Sequence, residues 1–135
     1  MSRRAGFANP EYLLTLTAVA IFLAIAVPRF LQARQRARNL HALAVVREAL
    51  SRYAADTKTK GPVELSDLAK GGKYLKALPE LEIPGHHEPS SEVHPMSSED
   101  TGGWGYSAWP GDPRQGQVWI NCTHTDASGR AWNSF

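Results

Sequence analysis

The chain has 135 residues, one cysteine and a formal net charge of +2 at pH 7. This length allows one small domain beside a membrane segment, and a single cysteine excludes an internal disulfide. The charge is unevenly placed, because residues 29–60 are mainly basic and residues 61–100 are mainly acidic. The second half therefore lacks the basic surface of a nucleic-acid-binding domain, and we expect no nucleic-acid partner.

The N-terminal segment places one carboxylate at the start of a long apolar run. A basic stub ends at Gly6, Phe7 follows, and Glu11 precedes the uncharged stretch that ends in Pro28. As a helix, residues 12–28 span about 26 Å at about 1.5 Å per residue, close to the thickness of a bilayer core. A carboxylate that faces hydrocarbon is costly, so Glu11 is predicted to be functional.

These residues resemble the N-terminal signal of type IV prepilins and type II secretion pseudopilins, although residues 8–10 depart from the usual pattern. The resemblance implies that a prepilin peptidase cuts after Gly6 and that the new N-terminal Phe7 is methylated. It implies that Phe7, Glu11 and Pro28 serve in assembly. It also implies a single-pass protein of the bacterial inner membrane, with its leader cytoplasmic and its head outside. By the same resemblance, an inner-membrane assembly platform incorporates the subunit into a homo-oligomeric pilus or pseudopilus.

Two other interpretations of the N-terminus stay open. A cleaved secretory signal peptide would share the basic stub and apolar centre, and an ordinary anchor would let Glu11 reach the membrane interface. The arginines in residues 29–38 outnumber Arg3 and Arg4, so the positive-inside count taken alone favours the opposite orientation.

Residues 29–55 contain no glycine or proline and are rich in good helix formers. We therefore predict one helix from about residue 8 to about residue 55, comprising a transmembrane and assembly half (7–28) and an amphipathic half (29–55). Pro28 is expected to kink or loosen it. Apolar residues at three- and four-residue spacing form one stripe that should pack on the head: Leu40, Leu43, Val46, Leu50 and Tyr53. Arg36, Arg47 and Arg52 are expected to face solvent.

The second half is predicted to be a connecting loop followed by a small sheet. Helix breakers begin at residue 57, a short helical turn is expected at 66–69, and residues 84–103 have the composition of an irregular surface loop. Residues 56–103 are therefore assigned to the connection.

Period-two alternation predicts a β-hairpin from residues 104–108 and 118–122, with a further strand at 131–135. Residues 104–135 would then form an antiparallel sheet that covers the helix stripe. The predicted fold class is α+β and pilin-like.

Several side chains could bind a metal. A zinc site is one hypothesis for the histidines with nearby carboxylates: His86, His87, His94, His124, Glu88, Glu92, Asp100 and Asp126. Their spacing matches no established site, so no metal is predicted. The resemblance raises calcium near Asp126, for which the sequence offers no set of six to eight oxygens. Cys122 is interpreted as a small apolar strand residue.

The expected function is structural. No nucleophile–base pair, phosphate-binding loop or paired catalytic carboxylates are recognisable, so we do not expect an enzyme. The resemblance implies a subunit of a type IV pilus or a type II secretion pseudopilus. The alternative is a membrane-anchored or pilus-tip module that binds DNA or glycan through aromatic side chains: Trp104, Tyr106, Trp109, Trp119 and Trp132.

Overall fold

The computed structural model describes residues 9–95 and 100–135 and has an α+β architecture. One long helix, α1 (Pro10–Thr57), is followed by a 3-10 helix (Leu65–Gly72). Five short strands come next: β1 (Leu81–Ile83), β2 (His87–Ser90), β3 (Val93–Pro95), β4 (Trp104–Tyr106) and β5 (Val118–Ile120). A 3-10 turn (Trp132–Ser134) follows β5. The predicted α+β fold, with a long N-terminal helix against a small sheet, is confirmed.

Helix α1 has 48 residues and lies within two residues of its predicted bounds. Pro10 occupies the first turn, where a missing N–H removes no helical hydrogen bond. The carbonyl of Asn9 accepts a hydrogen bond from the Tyr12 N–H at 2.9 Å. The helix is continuous through Pro28 and ends where Lys58 adopts a left-handed conformation with φ of 58°.

The strands form two small sheets rather than one antiparallel sheet. Strands β1 and β2 pair antiparallel, and β4 and β5 form the predicted antiparallel hairpin. Strand β3 pairs parallel to β4, which makes the second sheet mixed.

Two predictions for this half are wrong. Strands β2 and β3 lie inside the segment 84–103 that was expected to be an irregular loop. Their pairing rests on main-chain hydrogen bonds, and their polar sequences show no apolar alternation. The expected strand at 131–135 is instead a 3-10 turn, in which the Ser134 N–H bonds the Ala131 carbonyl at 3.1 Å.

The core lies where one face of α1 meets the two sheets. Leu43, Val46 and Leu50 of the predicted stripe are buried, and Leu40 and Tyr53 are half-buried at its ends. Side chains from the 3-10 helix and the strands cover this face: Leu65, Leu68, Leu81, Ile83, Trp104, Val118 and Ile120. The helix therefore supplies one wall of the core of the head.

Polar side chains of α1 also bind the main chain of the head. Buried Asn39 donates from Nδ2 to the Glu82 carbonyl at 2.7 Å and accepts from the Glu82 N–H at 3.4 Å. Its amide thus takes the place of a neighbouring strand beside β1. Arg47 donates to the Val118 carbonyl at 3.2 Å, and Arg52 donates to the Tyr74 carbonyl at 3.1 Å. Arg47 and Arg52 are exposed, as predicted, and they also bind main-chain carbonyl groups of the head.

Replacing Asn39 with leucine should destabilise the head by about 1–3 kcal/mol, because the Glu82 N–H loses its bond to Asn39 and the Glu82 carbonyl keeps only the longer contact from Gln35 at 3.4 Å. The unfolding free energy of the full chain in detergent, measured with urea, tests this. His41→Ala changes an exposed residue of the same helix and should alter stability by less than about 0.5 kcal/mol. Equal effects of the two substitutions would contradict the assigned role of Asn39.

Candidate functional site

The N-terminal half of α1 projects from the head with its apolar side chains exposed. The first buried residue of the helix is Asn39. The large apolar side chains before it are between 48 and 71% exposed: Tyr12, Leu13, Leu14, Leu16, Val19, Ile21, Phe22, Leu23, Ile25, Val27, Phe30 and Leu31. Residues 10–31 span about 33 Å at about 1.5 Å per residue. An 18-residue window of this helix reaches a mean hydropathy of 2.1, so it is long and apolar enough to cross a membrane.

The predicted assembly residues lie at the two ends of this exposed half. Glu11 is exposed in the first turn, and Arg29, the next charged residue along the chain, lies about 27 Å further along the helix. Pro28 lies beside Arg29 and has no N–H, so the carbonyl of Ala24 lacks its helical partner. Gly6 and Phe7, the predicted cleavage and methylation positions, lie outside the described residues.

The threonines near Glu11 are satisfied within the helix. The Thr15 hydroxyl donates to the Glu11 carbonyl at 3.0 Å, and the Thr17 hydroxyl donates to the Leu13 carbonyl at 2.7 Å. These bonds leave only apolar groups of the two side chains facing outward. Glu11 is the one charged residue in positions 9–28.

Arg36 marks the point where α1 meets the head. Its Nε lies 2.6 Å from Oδ2 of Asp126, whose side chain is only 1% exposed. The other oxygen of Asp126 accepts hydrogen bonds from the Ser128 N–H, the Ser128 hydroxyl and the Arg130 N–H at 2.6–3.0 Å. A guanidinium and turn donors already satisfy this carboxylate, so Asp126 is a poor calcium ligand. Hydrogen bonds from Ser128, Arg130 and Arg36 outweigh burial and lower the pKa of Asp126 to about 2.

A second polar group lies in the head. Ligand atoms of His87, Asp100, Cys122 and His124 all lie within 4.8 Å of one another. His87 Nε2 is 3.0 Å from Asp100 Oδ1, and His124 Nδ1 is 3.0 Å from Asp100 Oδ2. The Cys122 Sγ lies 3.5 Å from His124 Nδ1. These four residues are called the His/Asp/Cys cluster below.

Backbone geometry positions the cluster. His87 lies on β2, and its ring packs against Gly102, where a Cβ would come within 2.8 Å of the His87 Cβ. Gly102 has φ of 74°, a conformation that favours glycine. Its N–H donates to the Asn121 carbonyl at 2.9 Å, which ties this loop to the segment after β5. Thr123 holds Asp100 through its N–H at 3.1 Å and its hydroxyl at 2.8 Å.

The ionisation of the cluster follows from these contacts. Burial raises the pKa of the Cys122 thiol to about 11, so the free side chain is a neutral thiol at pH 7. Burial also acts to raise the pKa of Asp100, but the hydrogen bonds from Thr123 and His87 outweigh it and bring the pKa to about 2. Asp100 is therefore an anion between two imidazoles.

The predicted metal-binding candidates are only partly brought together. His87, His124 and Asp100 converge, and the His86 ring stacks on that of His124 at 3.9 Å. His94 instead lies 3.8 Å from Glu92. The sequence analysis missed Cys122 as a member. The spacing of Cys122 and His124 could have identified it, because residues two apart in an extended segment project to the same face.

Comparisons with protein-family models, with curated proteins and with solved structures give no match.

Acid should weaken the contact between α1 and the head through Asp126. Because its pKa falls from an ordinary value of 3.8 to about 2 on folding, its contribution to stability is complete above about pH 4. That contribution is lost as the pH falls towards 2. Melting temperatures measured from pH 6 to pH 2 should therefore fall less steeply for Asp126→Asn than for the wild type. Glu48→Gln, a change at an exposed position of α1, should keep the wild-type profile; an unchanged slope in Asp126→Asn would refute the assignment.

Proposed function

We propose that this chain is a filament subunit of the type IV pilin class, of a type IV pilus or a type II secretion pseudopilus. In this proposal the exposed half of α1 assembles with copies of itself after a prepilin peptidase removes the leader. The proposal rests on the contrast between the two halves of α1, one packed against the head and the other exposed. One half completes the core of the head, and the other presents a membrane-length apolar surface.

Such a surface needs a partner throughout the life of the protein. Each large apolar side chain left in water costs about 1.5–3 kcal/mol relative to burial. Lipid covers the helix before assembly, and helices of neighbouring subunits take its place in the filament. Between helices in lipid, close packing and polar contacts supply the association energy.

Glu11 fixes the axial offset between the helices of neighbouring subunits. An ionised carboxylate within the membrane is unfavourable by at least a few kcal/mol, and no positive side chain follows it until Arg29. The methylated amine of Phe7 from a neighbouring subunit supplies the missing positive charge. Pairs of this kind contribute little net stability but penalise every arrangement in which one charge lacks its partner.

The head gives little support to the alternative of a binding module with an aromatic platform. Trp104, Tyr106, Trp119 and Trp132 are at most 6% exposed, and only Trp109 is largely exposed. The Trp104 indole N–H donates to the Pro79 carbonyl at 2.8 Å, and the Tyr106 hydroxyl donates to the Pro62 carbonyl at 2.7 Å. These aromatic side chains fill the core, so the structural role is favoured over a DNA- or glycan-binding role.

Leader removal is tested by the intact mass of the chain expressed with and without a prepilin peptidase. We expect a loss equal to residues 1–6 and a gain of one methyl group on Phe7 when the peptidase is present. Gly6→Leu should abolish both changes, because a branched side chain does not fit where the peptidase accepts glycine. A wild-type chain left intact would leave a membrane-anchored protein, and cleavage further along would indicate a secretory signal peptide.

The role of Glu11 is tested by Glu11→Ala in a strain that assembles the wild-type chain. We expect normal processing, since the leader junction is unchanged, and a loss of at least about 90% of sheared filaments, in line with a register defect of a few kcal/mol. Immunoblots of sheared and cell-bound fractions measure both. Glu48→Ala removes an exposed carboxylate from the packed half of α1 and should assemble normally. Normal filaments from Glu11→Ala would contradict the proposal.

A further inference from the structure

We propose that the His/Asp/Cys cluster is a zinc site in which His87, Asp100, Cys122 and His124 are the four ligands. The sequence alone predicted no metal, because the spacing of the candidate histidines and carboxylates matches no established site. The proposal does not depend on filament assembly, since it concerns the head by itself.

The separations in the cluster resemble those around a tetrahedral ion. With bonds of about 2.0–2.3 Å to nitrogen, oxygen and sulfur, neighbouring ligands of zinc lie about 3.2–3.7 Å apart. The measured separations are 3.0 Å for each histidine–Asp100 pair and 3.5 Å between Cys122 Sγ and His124 Nδ1, and no pair exceeds 4.8 Å. The wider pairs, which lie up to 4.8 Å apart, would have to close by up to about 1 Å as an ion replaced the two histidine–carboxylate hydrogen bonds.

The donor set selects the kind of ion. A thiolate, two imidazoles and one carboxylate are typical of zinc, whereas calcium and magnesium require oxygen ligands. As the zinc–sulfur bond forms, the Cys122 thiol releases its proton to solvent, and both imidazoles bind through a neutral ring nitrogen. The ion then carries two anionic ligands, so its charge of +2 is neutralised.

The surroundings hold the ligands in place. The hydrogen bonds from Thr123 fix the Asp100 carboxylate, and the stacked ring of His86 supports His124. Gly102 leaves room for the His87 ring where any side chain would collide with it. Ligands of a metal site are commonly oriented by such outer contacts. Cys122 is 1% exposed, while His124 retains 42% exposure and gives an ion a path from solvent.

The ion would join three parts of a head that lacks covalent cross-links. His87 comes from β2, Asp100 from the loop before β4, and Cys122 with His124 from the segment after β5. These strands have only three or four residues each, and the lone cysteine is free. Small domains with little core often depend on a disulfide or a metal for stability.

Metal content of the full chain tests the site directly. The protein is purified in detergent without a polyhistidine tag, stripped with a chelator under reducing conditions and dialysed against limiting zinc with excess calcium and magnesium. We expect about one zinc and no calcium per chain by mass spectrometry. Cobalt in place of zinc should give a thiolate charge-transfer band and tetrahedral ligand-field bands. Zinc at about 100 times its dissociation constant should raise the melting temperature by about 10 °C.

Variants assign the ligands. His124→Gln alters a partly exposed side chain, so the variant should fold. It should weaken zinc binding at least about 10-fold, because even the loss of a residue that only supports a metal ligand costs about 10- to 100-fold in affinity. Cys122→Ser should abolish the charge-transfer band. If Cys122→Ser fails to fold, the cobalt spectrum of the wild type and the affinity of His124→Gln decide the question. His94→Gln, outside the cluster, should bind zinc as the wild type does.

Three results would overturn the proposal. A stripped chain that takes up no zinc would make the cluster a hydrogen-bonded network without metal. Cobalt binding without a thiolate band would exclude Cys122 as a ligand. Equal zinc affinity in His124→Gln and the wild type would place the ion elsewhere.

Discussion

The buried face of α1 between Asn39 and Leu50 is the constraint on which the rest of the structure depends. Fewer than 80 residues follow the helix, and their strands are too short to enclose a core without it. Leu43, Val46 and Leu50 fill that gap, so the head folds around one half of the helix. A consequence is that the free half of the helix cannot turn or slide without moving the core.

Contacts to the main chain secure this arrangement beyond apolar packing. Asn39, Arg47 and Arg52 bind carbonyl groups of three separate segments of the head. A carbonyl group is present whatever the side chain at that position. The loops of the head can therefore change in sequence while the helix keeps the same contacts.

The sequence predicted those parts of the fold that depend on residues close together in the chain. The helix followed from composition, its buried stripe from spacing, and the β4–β5 hairpin from alternation, all of which are local. Strands β2 and β3 escaped notice because they are polar and gain their structure from pairing partners elsewhere in the chain. Arg36 was expected in solvent because its partner, Asp126, lies 90 positions away. The same limit applies to the His/Asp/Cys cluster, in which Gly102 and Thr123 position residues that no local pattern connects.

The continuity of α1 from its free half into the core also has a mechanical meaning. Its polar contacts with the head, from Gln35 to Arg52, are spread over about 26 Å of the same helix. A pull along the helix axis loads these contacts together, in shear, whereas a sideways pull would open them one after another. The protein should therefore resist tension along its stem far better than bending at the point where the stem enters the head.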